Sequence, residues 1–192
     1  MIILLAGVSC VGKTTVGQQL AALLGYSFRD LDQEIENFFN KPLERLHSDF
    51  LTGYSFRQKA APVLGRLLAD QTLQQCVIAL PPSGLMDHYC HVIKKNKCIV
   101  VALTAAPEDI LDRITFFDVD SKPIHKQLSP AEKAHHLNEI RKDIAYFGRT
   151  FKKAAMTVDI TGLGVKASAQ KLLAMLEPDL AAAPALKQKA SE

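Results

Sequence analysis

The sequence predicts an α/β fold, a three-layer αβα sandwich around a five-stranded parallel sheet. Two observations carry this. Five short apolar runs, at residues 1–6, 26–29, 76–80, 97–103 and 156–159, alternate with segments whose apolar residues recur at helical spacing. That is the pattern of repeated strand–helix–strand units. The first run ends in Gly7-Val8-Ser9-Cys10-Val11-Gly12-Lys13-Thr14, and a helical pattern starts directly after it at Thr15. A glycine-bearing turn of this kind, between a buried strand and a helix, is built to receive phosphate.

The chain has 192 residues, enough for one domain with a substantial core. Hydrophobic residues make up 48% and charged residues 22%, a globular composition. A net charge of +3, with no long Lys/Arg run to concentrate it, argues against nucleic acid as a partner. The opening apolar run is too short to span a bilayer and lacks a basic leader, so neither a membrane anchor nor a targeting peptide is expected. Cys10, Cys76, Cys90 and Cys98 show no metal-ligand spacing and read as reduced thiols, which suits the cytoplasm.

In the phosphate-loop pattern each residue type has a reason. Gly7 and Gly12 let the backbone turn its N–H groups onto an anion, and the N–H groups around Ser9, Cys10, Val11 and Thr15 surround the same space. Lys13 is the cation for the β/γ-phosphates, and the Thr14 hydroxyl is a Mg²⁺ ligand.

After the second strand comes Asp30-Leu31-Asp32-Gln33-Glu34-Ile35-Glu36. Two carboxylates one residue apart at a strand end suit a metal-bound water and a substrate hydroxyl, although either could also cap the helix that follows. A short helical segment restarts at Lys41-Pro42-Leu43-Glu44. Gly53-Tyr54-Ser55-Phe56-Arg57 then opens a helix expected to run to about Leu73. Taken alone, Arg57 reads as solvated surface.

The third strand is followed by Pro81-Pro82-Ser83-Gly84, a turn with two residues that lack an N–H. The fourth leads to a helix carrying Arg113. Residues 115–129 are polar and weakly patterned, in the manner of a mobile lid. Ser129-Pro130-Ala131-Glu132 is a capping box with a proline start, opening a long helix that bears His135, His136, Arg141 and Arg149. The two adjacent histidines read as surface, since they point about 100° apart and lack an i,i+4 partner. A single domain is expected over residues 1–177, with a disordered tail over 178–192.

With Asp30-Leu31-Asp32 after the loop and Gly53 to Arg57 beyond, the chain resembles the shikimate kinase family, nucleoside-monophosphate-kinase-like enzymes of the P-loop kinase type with a mobile lid. Asp30 to Glu36 is close to that family's DxDxxIE signature. Residues 100–108 are similar to its strand and helix before the lid, Lys122-Pro123-Ile124 to its lid Arg-Pro-Leu, and Arg141 lies nineteen residues after Lys122 as its carboxylate arginine does. The resemblance implies a monomeric Mg²⁺- and ATP-dependent kinase that phosphorylates a hydroxyl of shikimate on the route to chorismate and aromatic amino acids. It places Asp30 at the Mg²⁺ water shell and Asp32 on the acceptor hydroxyls. Arg57, Arg141 and the turn at Gly84 fall at the acceptor, Arg113 beside the adenine, and Lys122 over the phosphates.

Three positions depart from the family. Pro81-Pro82-Ser83-Gly84 replaces its Gly-Gly-Gly turn, Gly53 to Arg57 is one residue shorter than its Gly-Glu-x-x-Phe-Arg, and Lys122 replaces the lid arginine. Two rival readings follow. One is a kinase of another polyol acid such as gluconate, whose kinases have a loop resembling Gly7-Val8-Ser9. The other is a nucleotide-binding regulatory protein that has lost turnover.

Overall fold

The structure is a computed structural model that describes residues 1–120 and 122–182. Strands β1 (Ile2–Ala6), β2 (Ser27–Asp30), β3 (Cys76–Ala79), β4 (Cys98–Thr104) and β7 (Met156–Asp159) form one parallel sheet in the order β2-β3-β1-β4-β7. β1 lies between β3 and β4, in register Ile3 to Val77 and Ile3 to Ile99. All of β1 and β3 is buried, which is why both are unbroken apolar runs: a parallel strand in the sheet centre has no solvent face. β2 and β7 are the edges and carry the polar residues Ser27, Arg29 and Asp159.

Among the described residues seven α-helices lie between strands and an eighth follows β7. α1 (Lys13–Leu24) packs against α8 (Val165–Ala182), and α4 (Gly53–Ala69) against α5 (Asp87–Lys94). α6 (Pro107–Asp112) packs against α7 (Pro130–Phe151), while α2 (Leu31–Phe39) and α3 (Leu43–His47) lie between β2 and α4 in sequence. The sheet and its helical layers share one core in which Leu4, Leu5, Leu20, Leu64, Ile78 and Leu103 are fully buried. The fold class is the one the sequence predicts.

The ends of several elements follow from local chemistry. α7 starts with the expected capping box: Ser129 Oγ accepts from Glu132 N, and the Glu132 carboxylate accepts from Ser129 N. α4 stops at Ala69, short of the expected Leu73, because Asp70 turns its carboxylate onto Thr72 N and caps a separate 3₁₀ turn, Gln71–Leu73.

The predicted tail is corrected in its first part. α8 continues to Ala182 with Pro178 inside it, because Leu172 and Leu176 are fully buried and Leu180 still packs on the core. That anchoring outweighs the one helical hydrogen bond a proline removes. Residues 183–192 lie outside the described residues.

The segment expected as a lid contains a short antiparallel hairpin, β5 (Phe116–Phe117) with β6 (Pro123–Ile124). Asp118 Oδ1 holds its tip by accepting from Asp120 N and Lys122 N, and Asp120 pairs with Arg45 of α3 at 2.6 Å. No helix among the described residues is long and apolar enough to cross a membrane. All four cysteines are free thiols.

Candidate active site

The loop between β1 and α1 is shaped by its two glycines. Gly7 has φ 149°, and a Cβ there would lie 2.8 Å from both the Leu103 carbonyl oxygen and Val11 Cγ1, so no other residue fits. Gly12, at φ 114°, is needed for the conformation alone. Between them Cys10 takes φ 58° as a non-glycine, a left-handed backbone that costs roughly 1–2 kcal/mol. α1 then begins with no side-chain cap, so the N–H groups of its first turn are open donors at the positive end of the helix dipole.

Lys13 Nζ lies back along this loop, donating to the Gly7 and Val8 carbonyls at 3.1 and 2.8 Å. Thr14 Oγ1 donates to Asp30 Oδ2 at 2.6 Å, bringing a hydroxyl and a carboxylate together where a hard cation could sit beside bound phosphate. Asp30 also caps α2 by accepting from Asp32 N, so the capping and the cation readings of the sequence describe one carboxylate. Among the described residues no three His, Cys, Asp or Glu side chains converge on a metal site. A cation here would depend on Thr14, Asp30 and phosphate oxygens rather than on a protein cage.

Asp32 is recessed in the same crevice. Burial first, and then the Asp30 charge, pushes its carboxyl up to about 7, against the pull of Lys13. Burial likewise lowers the Lys13 ammonium from its ordinary value, with Asp32 and Asp30 opposing the shift. The carboxyl therefore sits near neutrality, where a general base works best.

Arg113 places its guanidinium beside the loop, donating to the Val11 carbonyl at 2.9 Å and to that of Leu163 at 3.3 Å. Ser9 is exposed, and Thr15 Oγ1 turns back to the Gly12 carbonyl at 3.2 Å.

On the acceptor side the structure departs from the sequence-based expectation. Arg57 is only 14% exposed, and both its Nε and Nη2 donate to Asp87 Oδ2, at 2.9 and 2.7 Å. Arg141 is not brought to it. It is 57% exposed and pairs with Glu108 of α6 at 3.1 Å.

The reason is the helical phase of α7. Ile140, Ile144 and Phe151 face the core. His136, Glu139 and Asp143 then share the side that meets Ser9, Cys10 and Phe116 across a cavity of about 190 Å³. His136, read from sequence as surface, packs on the Phe116 ring of the hairpin at 5.5 Å. Lys122 is exposed on the hairpin.

In the Pro81-Pro82-Ser83-Gly84 turn, the Gly84 N–H is spent on the Pro81 carbonyl at 2.8 Å and the Met86 N–H on that of Ser83 at 2.9 Å. Gly84 therefore offers no free backbone donor to a ligand.

Sequence reasoning missed Asp87, Lys153 and Tyr89. Lys153 Nζ donates to the Leu85 carbonyl at 3.0 Å and ties the end of α7 to this turn. Tyr89 is 0% exposed and its hydroxyl has no hydrogen-bond partner among the described residues. Burial foremost, and then the Asp32 charge, pushes the phenol up, with Arg57 opposing.

An orphaned buried hydroxyl destabilises, so Tyr89→Phe is expected to melt a few degrees higher, about 1 kcal/mol. Thermal unfolding checks this. A melting point lowered by a similar amount would mean that a bound water satisfies the hydroxyl.

The chain matches the family model described as SKI: Shikimate kinase over residues 9–177. It is 28% identical over 141 residues to a shikimate kinase of Novosphingobium aromaticivorans, covering 73% of this chain and 72% of that one. Among solved structures, the shikimate kinase of Bacteroides thetaiotaomicron superimposes with a TM-score of 0.74 at 22% identity, over 92% of this chain and 98% of that one, and so shares the fold. A shikimate kinase from Acinetobacter baumannii, solved in complex with shikimate, gives a TM-score of 0.70 at 26% identity, over 93% of both chains. A family match that starts at Ser9 within the phosphate loop and takes in Lys13, the acid pair and every strand from β2 onward shows that this chain belongs to the shikimate kinase family.

Proposed function

We propose that the protein is an ATP-dependent kinase that transfers the γ-phosphate to a hydroxyl of shikimate, acting as a cytoplasmic monomer. The observation that carries this is the Thr14 hydroxyl on Asp30 Oδ2 at 2.6 Å beside the phosphate loop on which Lys13 Nζ rests, with Asp32 two residues beyond Asp30. Family membership supports the acceptor, and the four free thiols suit a reducing compartment.

In the reaction the acceptor oxygen bonds to the γ-phosphorus, the bond from that phosphorus to the β–γ bridging oxygen breaks, and the hydroxyl proton passes to Asp32. Gly7, Ser9, Cys10, Val11, Gly12 and Thr15 shape the phosphate cradle, Lys13 balances charge on the β/γ-phosphates, and Arg113 borders the base. Thr14 and Asp30 would hold Mg²⁺, which supplies further charge balance to the phosphates when bound. Arg57 orients the acceptor through its carboxylate, at the turn carrying Gly84. Arg141 and Lys122 join only after Arg141 leaves Glu108 and the hairpin moves over the phosphates.

The test is ADP release from Mg²⁺-ATP with and without shikimate, with gluconate and a nucleoside monophosphate as comparison acceptors. Shikimate-dependent turnover is expected. A second reading, nucleotide binding with little turnover, is favoured by the spent Gly84 N–H. ATP binding with no stimulation by any of the three acceptors would establish it in place of the first.

A further inference from the structure

We propose that Asp87 is a positioning residue for the acceptor-binding arginine, an assignment that rests on the reading of Arg57 as the acceptor's carboxylate ligand. An arginine side chain is long and rotamer-rich, so it orients a ligand only if something orients it. Asp87 does this from a fixed mount. It is the first residue of α5, directly after the turn that Gly84 N–H to Pro81 O, Met86 N–H to Ser83 O and Lys153 Nζ to Leu85 O pin in place.

Asp87 takes up the Nε–Nη2 edge of the guanidinium with one oxygen, at 2.9 and 2.7 Å. Two of the five guanidinium N–H groups are thereby committed and three remain for an acceptor. Nη1 lies over Gly53, where a Cβ would stand 2.9 Å from it, so the absent side chain leaves this end of the guanidinium its room. The pair is recessed, at 14% and 35% side-chain exposure, and the Arg57 charge reaches the buried Tyr89 hydroxyl two residues further along α5.

Asp87 itself sits at φ 41°, a left-handed conformation that Asp and Asn tolerate better than other side chains and that Gly adopts freely. With its charge already matched, Arg57 recognises an acceptor by the direction of its free N–H groups more than by net charge.

The experiment is steady-state kinetics with shikimate varied at saturating Mg²⁺-ATP, on wild type, Asp87→Asn, Asp87→Gly and Asp87→Glu. Asn and Gly both keep the backbone conformation, so a fold defect is separable from a lost contact. The Asn and Gly variants are expected to raise the shikimate KM about tenfold or more, with kcat within about threefold and the ATP KM unchanged. Asp87→Glu is expected to recover part of the loss.

An unchanged shikimate KM overturns the proposal. So does a lowered one, which would make Asp87 a competitor of the acceptor's carboxylate, and so does a parallel loss in both KM values and kcat, which would make it structural. Wild type that turns over shikimate while Asp87→Asn is unaffected defeats this inference alone. Wild type without shikimate turnover defeats the acceptor assignment, and this inference with it.

Discussion

Lys13→Ala is expected to lower kcat/KM for ATP by on the order of a thousandfold. Phosphoryl transfer asks the protein mainly for position and charge, and Lys13 is the cation inside the loop. In the structure its ammonium is parked on the Gly7 and Val8 carbonyls at 3.1 and 2.8 Å, so no outward reorganisation of the backbone is needed to present it. The same substitution removes the positive charge that opposes the raised Asp32 carboxyl. Coupled-assay turnover and binding of a fluorescent ATP analogue check the two parts separately. Retention of a tenth or more of wild-type turnover would mean that another cation serves the phosphates.

Asp32→Asn is expected to lower kcat by about a hundredfold to ten-thousandfold, the range for a lost general base, and to stabilise the protein in a pH-dependent way. The carboxyl is raised from 3.8 to about 7, with burial the main cause. The folded state therefore binds a proton that the unfolded state has released, and stability falls as pH climbs from about 4 to about 7. An amide at the position does not titrate. The melting-point gain of Asp32→Asn over wild type is accordingly expected near zero at pH 4, growing through that window, and reaching several degrees above pH 7.

Wild-type kcat/KM is expected to rise across the same window, because only the carboxylate accepts the hydroxyl proton. A gain that is largest at pH 4 reverses the sign and would discard this account of Asp32.

What the sequence by itself determined is what short-range chemistry determines. The loop geometry is set by Gly7 and Gly12, since only glycine avoids the Leu103 carbonyl and takes the required φ values. The central strands are legible because parallel strands buried on both faces must be apolar throughout. The start of α7 is legible because the capping box closes within four residues. The residues expected at the nucleotide lie close together along the chain: Lys13 and Thr14 open α1, Asp30 ends β2 and Asp32 lies in the first turn of α2, and the parallel sheet, with β3 between β1 and β2, brings these ends to one side.

The acceptor side was decided by the tertiary structure. Arg57 meets Asp87 across 30 residues and Arg141 meets Glu108 across 33, and nothing local marks either pair. The phase of α7 held one usable signal, the apolar positions Ile140, Ile144 and Phe151, which turn His136, Glu139 and Asp143 toward the loop and Arg141 away from it. Spacing along the chain could align Arg141 with a family arginine, but it could not say where a flexible cation points once its helix has docked. The Gly84 N–H shows the same limit, because a glycine permits a donor and only the folded turn decides whether the Pro81 carbonyl consumes it. Local backbone geometry follows from residue type, whereas the partner of a long charged side chain follows from which distant elements the core packs beside it.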